Sequence, residues 1–366
     1  TATPTAGALA QARRRVGVAP LRWLFDLLRG PAATPGQRGT RWRGLLVCAI
    51  DGTTMTVPDS PAARRRFTKQ AGNHGGTGYP QLRLLALVAC GTRTLIDAVF
   101  GPTTTGETTY APELLRSLRA GMILLADRNF AAKDLIADIA ATRADVLVRL
   151  KNARRMPVLT RYGDGSYLST LGAVPVRVIE AEITIGTTAG RHTGLYRLAT
   201  TLLDHHRYPA TELIRLYHER WEIETAYLEL KSSILGGRVL RARTPAGIEQ
   251  EVYTLLVTYQ LIRTAMADAT GTRPEIDPDR ASFTTALHAA RDLVIQATGV
   301  IAETTIDLVG TIGRHVLDHL MPARRLRTCP RIVKRAISKY QARGPTIDRT
   351  SYKATISIDI LTTADP

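Results

Sequence analysis

Cysteine is scarce in this chain. Cys48, Cys90 and Cys329 lie far apart with no C-x-x-C, which excludes a zinc finger or a disulfide framework and fits a reduced, cytoplasmic protein. Long apolar runs are also lacking. None reaches the roughly 18 residues that a membrane helix takes, and no signal-peptide pattern opens the chain. There is no internal repeat. Acidic side chains are in deficit, with 32 Asp and Glu against 49 Lys and Arg and a net charge of +17. That balance favours a polyanionic partner, nucleic acid first; an arginine-rich composition without such a partner is the plainer alternative. The charge is clustered at Arg13, Arg14 and Arg15, at Arg64, Arg65 and Arg66, and from Arg324 to Lys339.

What is present suffices for a sizeable core. At 366 residues the chain has room for two or three structural units. Leu21, Leu24, Phe25 and Leu28 recur at helical spacing before a Gly30-Pro31 stop. Short apolar runs follow at Leu45–Ile50, Leu82–Cys90 and Thr94–Phe100, the last two meeting at Gly91-Thr92 as a hairpin. A helix over Tyr110–Leu118, a strand over Met122–Ala126, a helix over Ala131–Ala141 and a strand over Asp145–Leu150 complete a mixed sheet covered by helices. Between Met156 and Leu203, short β-like runs punctuated by Gly163-Asp164-Gly165 read as an antiparallel insertion. Helices return near Pro209 and include Ala246–Ala267 and Phe283–Gln296. The region Arg314–Tyr340 reads as helical and basic, and residues from Gly344 onward as a loose tail.

The segment Tyr217–Lys231 has no Gly or Pro and is rich in Glu, Leu and Arg, which predicts a helix. At about 100° per residue, with Tyr217 at zero, Arg220 falls near −60°, Glu224 near −20° and Lys231 near −40°. A carboxylate flanked on one stripe by a phenol, a guanidinium and an ammonium suits gripping phosphate around a metal ligand. A solvated face laced with salt bridges explains the same composition. Two further carboxylates, Asp51 and Asp127, each directly follow an apolar β-run and are expected at strand ends. With Glu224 they give three carboxylates, the oxygen ligands and negative charge that two hard divalent cations such as Mg²⁺ need. Two such ions can activate a water or a 3′-hydroxyl and stabilise the leaving oxygen of an in-line displacement. Strand-end aspartates also serve as turn-formers and helix caps.

With these residues in place, the chain resembles the DDE transposases of the insertion-sequence-four family. That family's signature is Tyr, two residues, Arg, three residues, Glu, six residues, Lys, which Tyr217, Arg220, Glu224 and Lys231 match at every gap. Ala49-Ile50-Asp51-Gly52-Thr53 and Leu125-Ala126-Asp127-Arg128-Asn129-Phe130 resemble its two aspartate motifs. The resemblance spans roughly residues 8–268. It implies an RNase H-like α/β fold: a mixed five-stranded sheet flanked by helices, with a small antiparallel β insertion and a helical C-terminal region.

The expected organisation is a remnant of an N-terminal helical DNA-binding region over 1–44, since the sequence opens on Thr1 rather than Met. The catalytic core follows over 45–150 and 207–270, split by the insertion at 151–206. A basic helical region over 271–343 and a tail over 344–366 complete the chain. By position, Asp51, Asp127 and Glu224 are the implied catalytic, metal-binding triad, holding two Mg²⁺ ions with Mn²⁺ able to substitute. Tyr217, Arg220 and Lys231 are the implied DNA contacts. The implied activity is cut-and-paste transposition on double-stranded DNA, both transposon ends and target, in a synaptic dimer and with no membrane involved. The rival readings are an RNase H-like metal-dependent nuclease and an inactive, truncated DNA-binding derivative. Trp221 or Tyr196 could stack a flipped base, with core packing at least as good an account.

Other signals carry less. His315 and His319 have a zinc-compatible spacing but no third ligand. His205 and His206 read as solvated, Gly163–Ser166 as a turn, and the Gly-rich run Asn73–Gly78 as a surface loop. Asp97 and Glu107 are the substitutes if a triad member is misassigned.

Overall fold

The computed structural model describes residues 4–69, 78–297, 307–323, 327–328, 350 and 352–361. Most of the Gly-rich run at 73–78, Cys329 and nearly all of the basic stretch 324–339 fall outside the described residues.

Helix α1 (Ala6–Val16) starts at Thr5, whose hydroxyl accepts from the N–H of Ala8 at 3.2 Å, and ends at Gly17 with φ 70°. It buries none of its residues, and α2 (Ala19–Leu28) buries only Phe25. Strands β1 (Arg41–Trp42) and β2 (Leu45–Thr56) are joined by a tight turn and pair antiparallel. After the short α3 (Pro61–Arg64), capped by Ser60, come β3 (Gln81–Ala89) and β4 (Leu95–Pro102). They form the hairpin expected around Gly91-Thr92. A side chain at Gly91 would stand 2.7 Å from the Cα of Thr40, so only glycine lets the loop pass this close.

The core continues through α4 (Glu107–Leu114), β5 (Met122–Ala126), α5 (Lys133–Ala141) and β6 (Asp145–Arg149). In the sheet, β4, β3 and β2 are successive antiparallel neighbours, while β2, β5 and β6 run parallel. This is the mixed five-stranded core that the sequence implied. Side-chain alternation splits it into two hydrophobic layers. Leu46, Cys48 and Ile50 pack with α4 and α5, whereas Val47 and Ala49 pack with the later helices.

The insertion supplies β7 (Thr160–Arg161), β8 (Tyr167–Leu171), β9 (Val174–Thr187) and β10 (Gly190–Thr200). It is antiparallel, as expected, but it is not a separate small sheet. β10 pairs with β6 at Leu198↔Arg149 to Thr200↔Leu147, and among the described residues the result is a single sheet of 11 strands.

The last part holds α6 (Ala210–Tyr217), α7 (Glu222–Leu228), α8 (Pro245–Gly271), α9 (Phe283–Ala297) and α10 (Leu308–Asp318). Strands β11 (Arg327–Thr328) and β12 (Tyr352–Lys353) pair with each other, and β13 (Thr355–Ile360) pairs with β9 from Thr355↔Gly186 to Ile360↔Ala181. The expectation of a loose tail from Gly344 therefore fails for Thr355–Ile360. The alternating Ile356, Ile358 and Ile360 suit an edge strand. Among the described residues no helix is long and apolar enough to cross a membrane.

Candidate active site

The two aspartates are brought together by register. β2 and β5 run parallel with Ile50 opposite Ala126, so Asp51 and Asp127 each stand one step beyond a matched pair. Alternation also puts them on the same face. Asp51 follows Val47 and Ala49, and Asp127 follows Ile123 and Leu125, all four packed toward α6, α7 and α8. Only one of the two lies where a strand ends. Asp127 caps a short 3₁₀ turn, its carboxylate accepting from the N–H of Asn129 at 2.7 Å. Asp51 lies within β2, which runs on to Thr56 against β3 after β5 has stopped. The strand-end expectation for Asp51 is corrected accordingly: one edge of β2 loses its partner there, not both.

The signature helix is not uniform. A 3₁₀ turn at His218–Trp221 precedes α7, and a π turn at Glu229–Ile234 follows it. These change the angular step from the value used to place the stripe. Tyr217 and Arg220 are buried, Lys231 is partly buried, and Glu224 stands at the surface with its side chain 45% exposed. Arg220 joins two of the acids. Its guanidinium donates to Asp51 at 3.1 Å and to Glu224 at 3.4 Å, while its buried Nε has no hydrogen-bond partner. The Tyr217 hydroxyl donates to the carbonyl of Ala126 at 3.1 Å, fixing the strand end from which Asp127 projects. Lys231 donates to the hydroxyl of Thr53 at 2.8 Å, two residues beyond Asp51 on the same face.

Charge is crowded here. Burial pushes the Asp51 carboxyl above its ordinary value; the Gly52 N–H and Arg220 pull it back, while Asp127 pushes it further up. Glu107 belongs to the same field. Burial raises it, Arg83 lowers it, and Asp51 and Asp127 raise it. Its carboxylate occupies the space a side chain on Gly52 would need, which explains the glycine after Asp51. Asp97 does not belong here. It is fully buried on β4 and engaged by Arg29, Arg116 and Ser117.

Among the described residues no group of three or more His, Cys, Asp or Glu side chains stands together as a metal cage. Arg220 lies between Asp51 and Glu224 instead. The donor chemistry nevertheless fits a hard divalent cation: the three acids offer carboxylate oxygens, and the Asp51 carboxyl, raised by burial and by Asp127, is relieved by added positive charge.

Tyr227 was not singled out in the sequence. Its hydroxyl donates to the carbonyl of Asp51 at 2.6 Å and accepts from the N–H of Ala86 at 3.0 Å. It therefore sits between β2 and β3 at the Asp51↔Ala86 pair. Ten residues beyond Tyr217, it falls near −80° on a uniform helical count, about 20° from Arg220, so the spacing that places the stripe also points to it.

The opposite side of the same helix is anchored in the core. Glu222 and Asp279 both pair with Arg93, and Glu229 is held by Arg263 and by the Tyr259 hydroxyl at 3.2 Å. Arg93 takes φ 57° in the β3–β4 turn to reach them.

The remaining signals settle as turns and packing. Asp164 accepts from the N–H and hydroxyl of Ser166 in a turn, His205 stacks on Tyr162, and His319 Nδ1 faces the carbonyl of His315 at 3.0 Å. Trp221 is 47% exposed beside Arg220, while Tyr196 lies under the Arg149 guanidinium.

Comparison with known proteins bears on what this arrangement is. The profile of the transposase DDE domain family matches residues 42–261, which include all six signature and aspartate positions. The transposase InsG for insertion sequence element IS4 of Escherichia coli (strain K12) is 27% identical over 351 residues, covering 91% of this chain and 77% of that protein. The putative transposase InsZ of the same organism is 34% identical over 130 residues, covering 35% of this chain and 44% of that protein. A piggyBac transposase in a synaptic complex with hairpin DNA aligns at TM-score 0.42 and 11% identity over 76% of this chain and 58% of that one, too slight a likeness to bear on the fold. The chain belongs to the transposase DDE domain family and, within it, to the insertion-sequence-four group.

Proposed function

We propose that this member of the transposase DDE domain family cuts an insertion sequence out of double-stranded DNA and joins it to a target. The observation that carries the reading is the single arginine, Arg220, held between Asp51 and Glu224 beside the strand end that bears Asp127. Asp51, Asp127 and Glu224 would hold divalent cations, Mg²⁺ or Mn²⁺, which when bound supply Lewis-acid activation and neutralise charge at the scissile phosphate.

The chain's own residues do the rest. Arg220 keeps Asp51 and Glu224 within reach of one another, and its guanidinium charge favours a phosphate beside them. Lys231, over Thr53, places a second cation farther along β2. Tyr217, buried and held neutral because burial pushes its phenol well up, acts on the strand end and not on a proton. Synapsis of two ends would require a dimer on DNA, working in the cytoplasm.

The test is a strand-cleavage and strand-transfer assay on duplexes carrying the inverted repeats that flank the coding region. The expected result is Mg²⁺- or Mn²⁺-dependent nicking followed by joining, both lost in Glu224→Gln and Asp51→Asn with DNA binding retained. Cleavage without joining would make the protein a nuclease. Binding without either would make it an inactive DNA-binding derivative.

A further inference from the structure

The sequence places its described arginine clusters far apart, yet the fold gathers them at the start of α8. Arg13 donates to the carbonyl of Gly247 at 2.8 Å and to the Gln250 side chain at 3.1 Å, docking α1 there with Arg14 and Arg15 exposed. Arg66 pairs with Glu249 and brings Arg64 and Arg65 to the same turn. Ser60 donates to the carbonyl of Arg243 at 2.6 Å, which adds the loop bearing Arg241 and Arg243. The acids in the cluster are Asp59, Glu249 and Glu251. Asp59 is paired with Lys69 and Arg64, and Glu251 accepts the backbone N–H of Arg241, so positive charge remains in excess.

This patch is tied to the candidate active site by β2. The N–H of Leu240, beside Arg241, donates to the carbonyl of Thr56 at 3.0 Å, at the last residue of that strand. From Asp51 to Thr56 is five residues, about 17 Å at about 3.3 Å per residue. Lys231 stands between, over Thr53 and Thr54. A duplex advances about 3.4 Å per base pair, so the distance corresponds to about five base pairs.

We infer that the arginine surface formed by α1, α3 and the start of α8 is a docking track for the phosphate backbone of double-stranded DNA, beginning about five base pairs from the phosphate held at Asp51. The track rests on the DNA-cutting reading for its second end, but its own residues lie outside the candidate catalytic set. It reads charge and spacing along the backbone.

The test compares the salt dependence of binding to a mixed-sequence duplex of about 30 base pairs, because backbone contacts are indifferent to sequence. The patch variant is Arg14→Gln/Arg15→Gln/Arg65→Gln, whose side chains take no part in the docking contacts just named. The control, Arg119→Gln/Arg143→Asn/Arg191→Gln, removes the same charge from exposed sites elsewhere; Arg119 and Arg143 precede β5 and β6, at the sheet edge opposite Asp127. With about 0.9 counterions released per phosphate contact, the patch variant should lower the slope of log affinity against log salt by about 2.7, and the control should leave it unchanged. Equal slopes in both variants and the wild type, or equal losses in both variants, would overturn the track. If the wild type cuts DNA while the patch variant keeps its slope, the track alone fails. If the wild type binds with a steep, patch-dependent slope but never cuts, the DNA-cutting reading fails and the track stands.

Discussion

On one side of the signature helix, Glu222 meets Arg93 and Glu229 meets Arg263 in the core; on the other, Arg220 joins Asp51 to Glu224, whose side chain reaches the surface. The residue types are the same and a single helix carries both. What differs is satisfaction. Glu222 is 1% exposed and Arg263 2%, and their charged groups are matched within the fold. On the other side the Glu224 side chain is 45% exposed, Asp51 is raised by burial and by a like charge, and Arg220 has a donor unused. A buried ion network that is complete holds an element in place. One left incomplete at the surface is ready for a ligand that completes it.

The contrast can be broken at four points, from the largest expected effect to the smallest. Glu224→Gln should abolish DNA cleavage with little change in the denaturant midpoint; a variant that still cuts would make Glu224 an ordinary solvated acid. Glu229→Ala, on the dry side, should cost about 3–5 kcal/mol of stability because it leaves Arg263 buried without its partner, a loss read from urea unfolding. Stability within about 1 kcal/mol of wild type would mean the network anchors nothing. Tyr227→Phe removes one hydroxyl from between β2 and β3 and should cost about 1–2 kcal/mol, with slower cleavage because the Asp51 backbone loses its clamp. Full activity would reduce Tyr227 to packing. Lys231→Ala should lower the salt slope of DNA binding by about one; an unchanged slope would leave Lys231 as a prop for Thr53 alone.

The contrast also shows what the sequence could carry. The apolar runs before Asp51 and Asp127 and the spacing of Tyr217, Arg220, Glu224 and Lys231 are local patterns, and the fold honours them. The five-stranded core followed from the same runs. The extent of β2 past Asp51 was hidden because it depends on β3 continuing where β5 stops. The joining of β10 to β6 and of β13 to β9 was hidden because edge pairing links residues remote in the chain. Tyr227 lay within reach of the same helical count, near −80° and beside Arg220, but its bonds to the Asp51 carbonyl and the Ala86 N–H depend on the pairing of β2 with β3. The same count already sets Glu222 near 140° and Glu229 near 120°, opposite Glu224 near −20°; what was out of reach is that Arg93 and Arg263, arriving from the β3–β4 turn and from α8, meet the first two.

The unbroken ladder from β4 to β7 has a mechanical consequence. With β10 bonded to β6 on one edge and to β9 on the other, the inserted strands cannot swing over the carboxylates like a flap without unzipping the plank they share. Among the described residues the inserted strands thus form a rigid platform, and a closing movement there falls to the helices packed on the sheet.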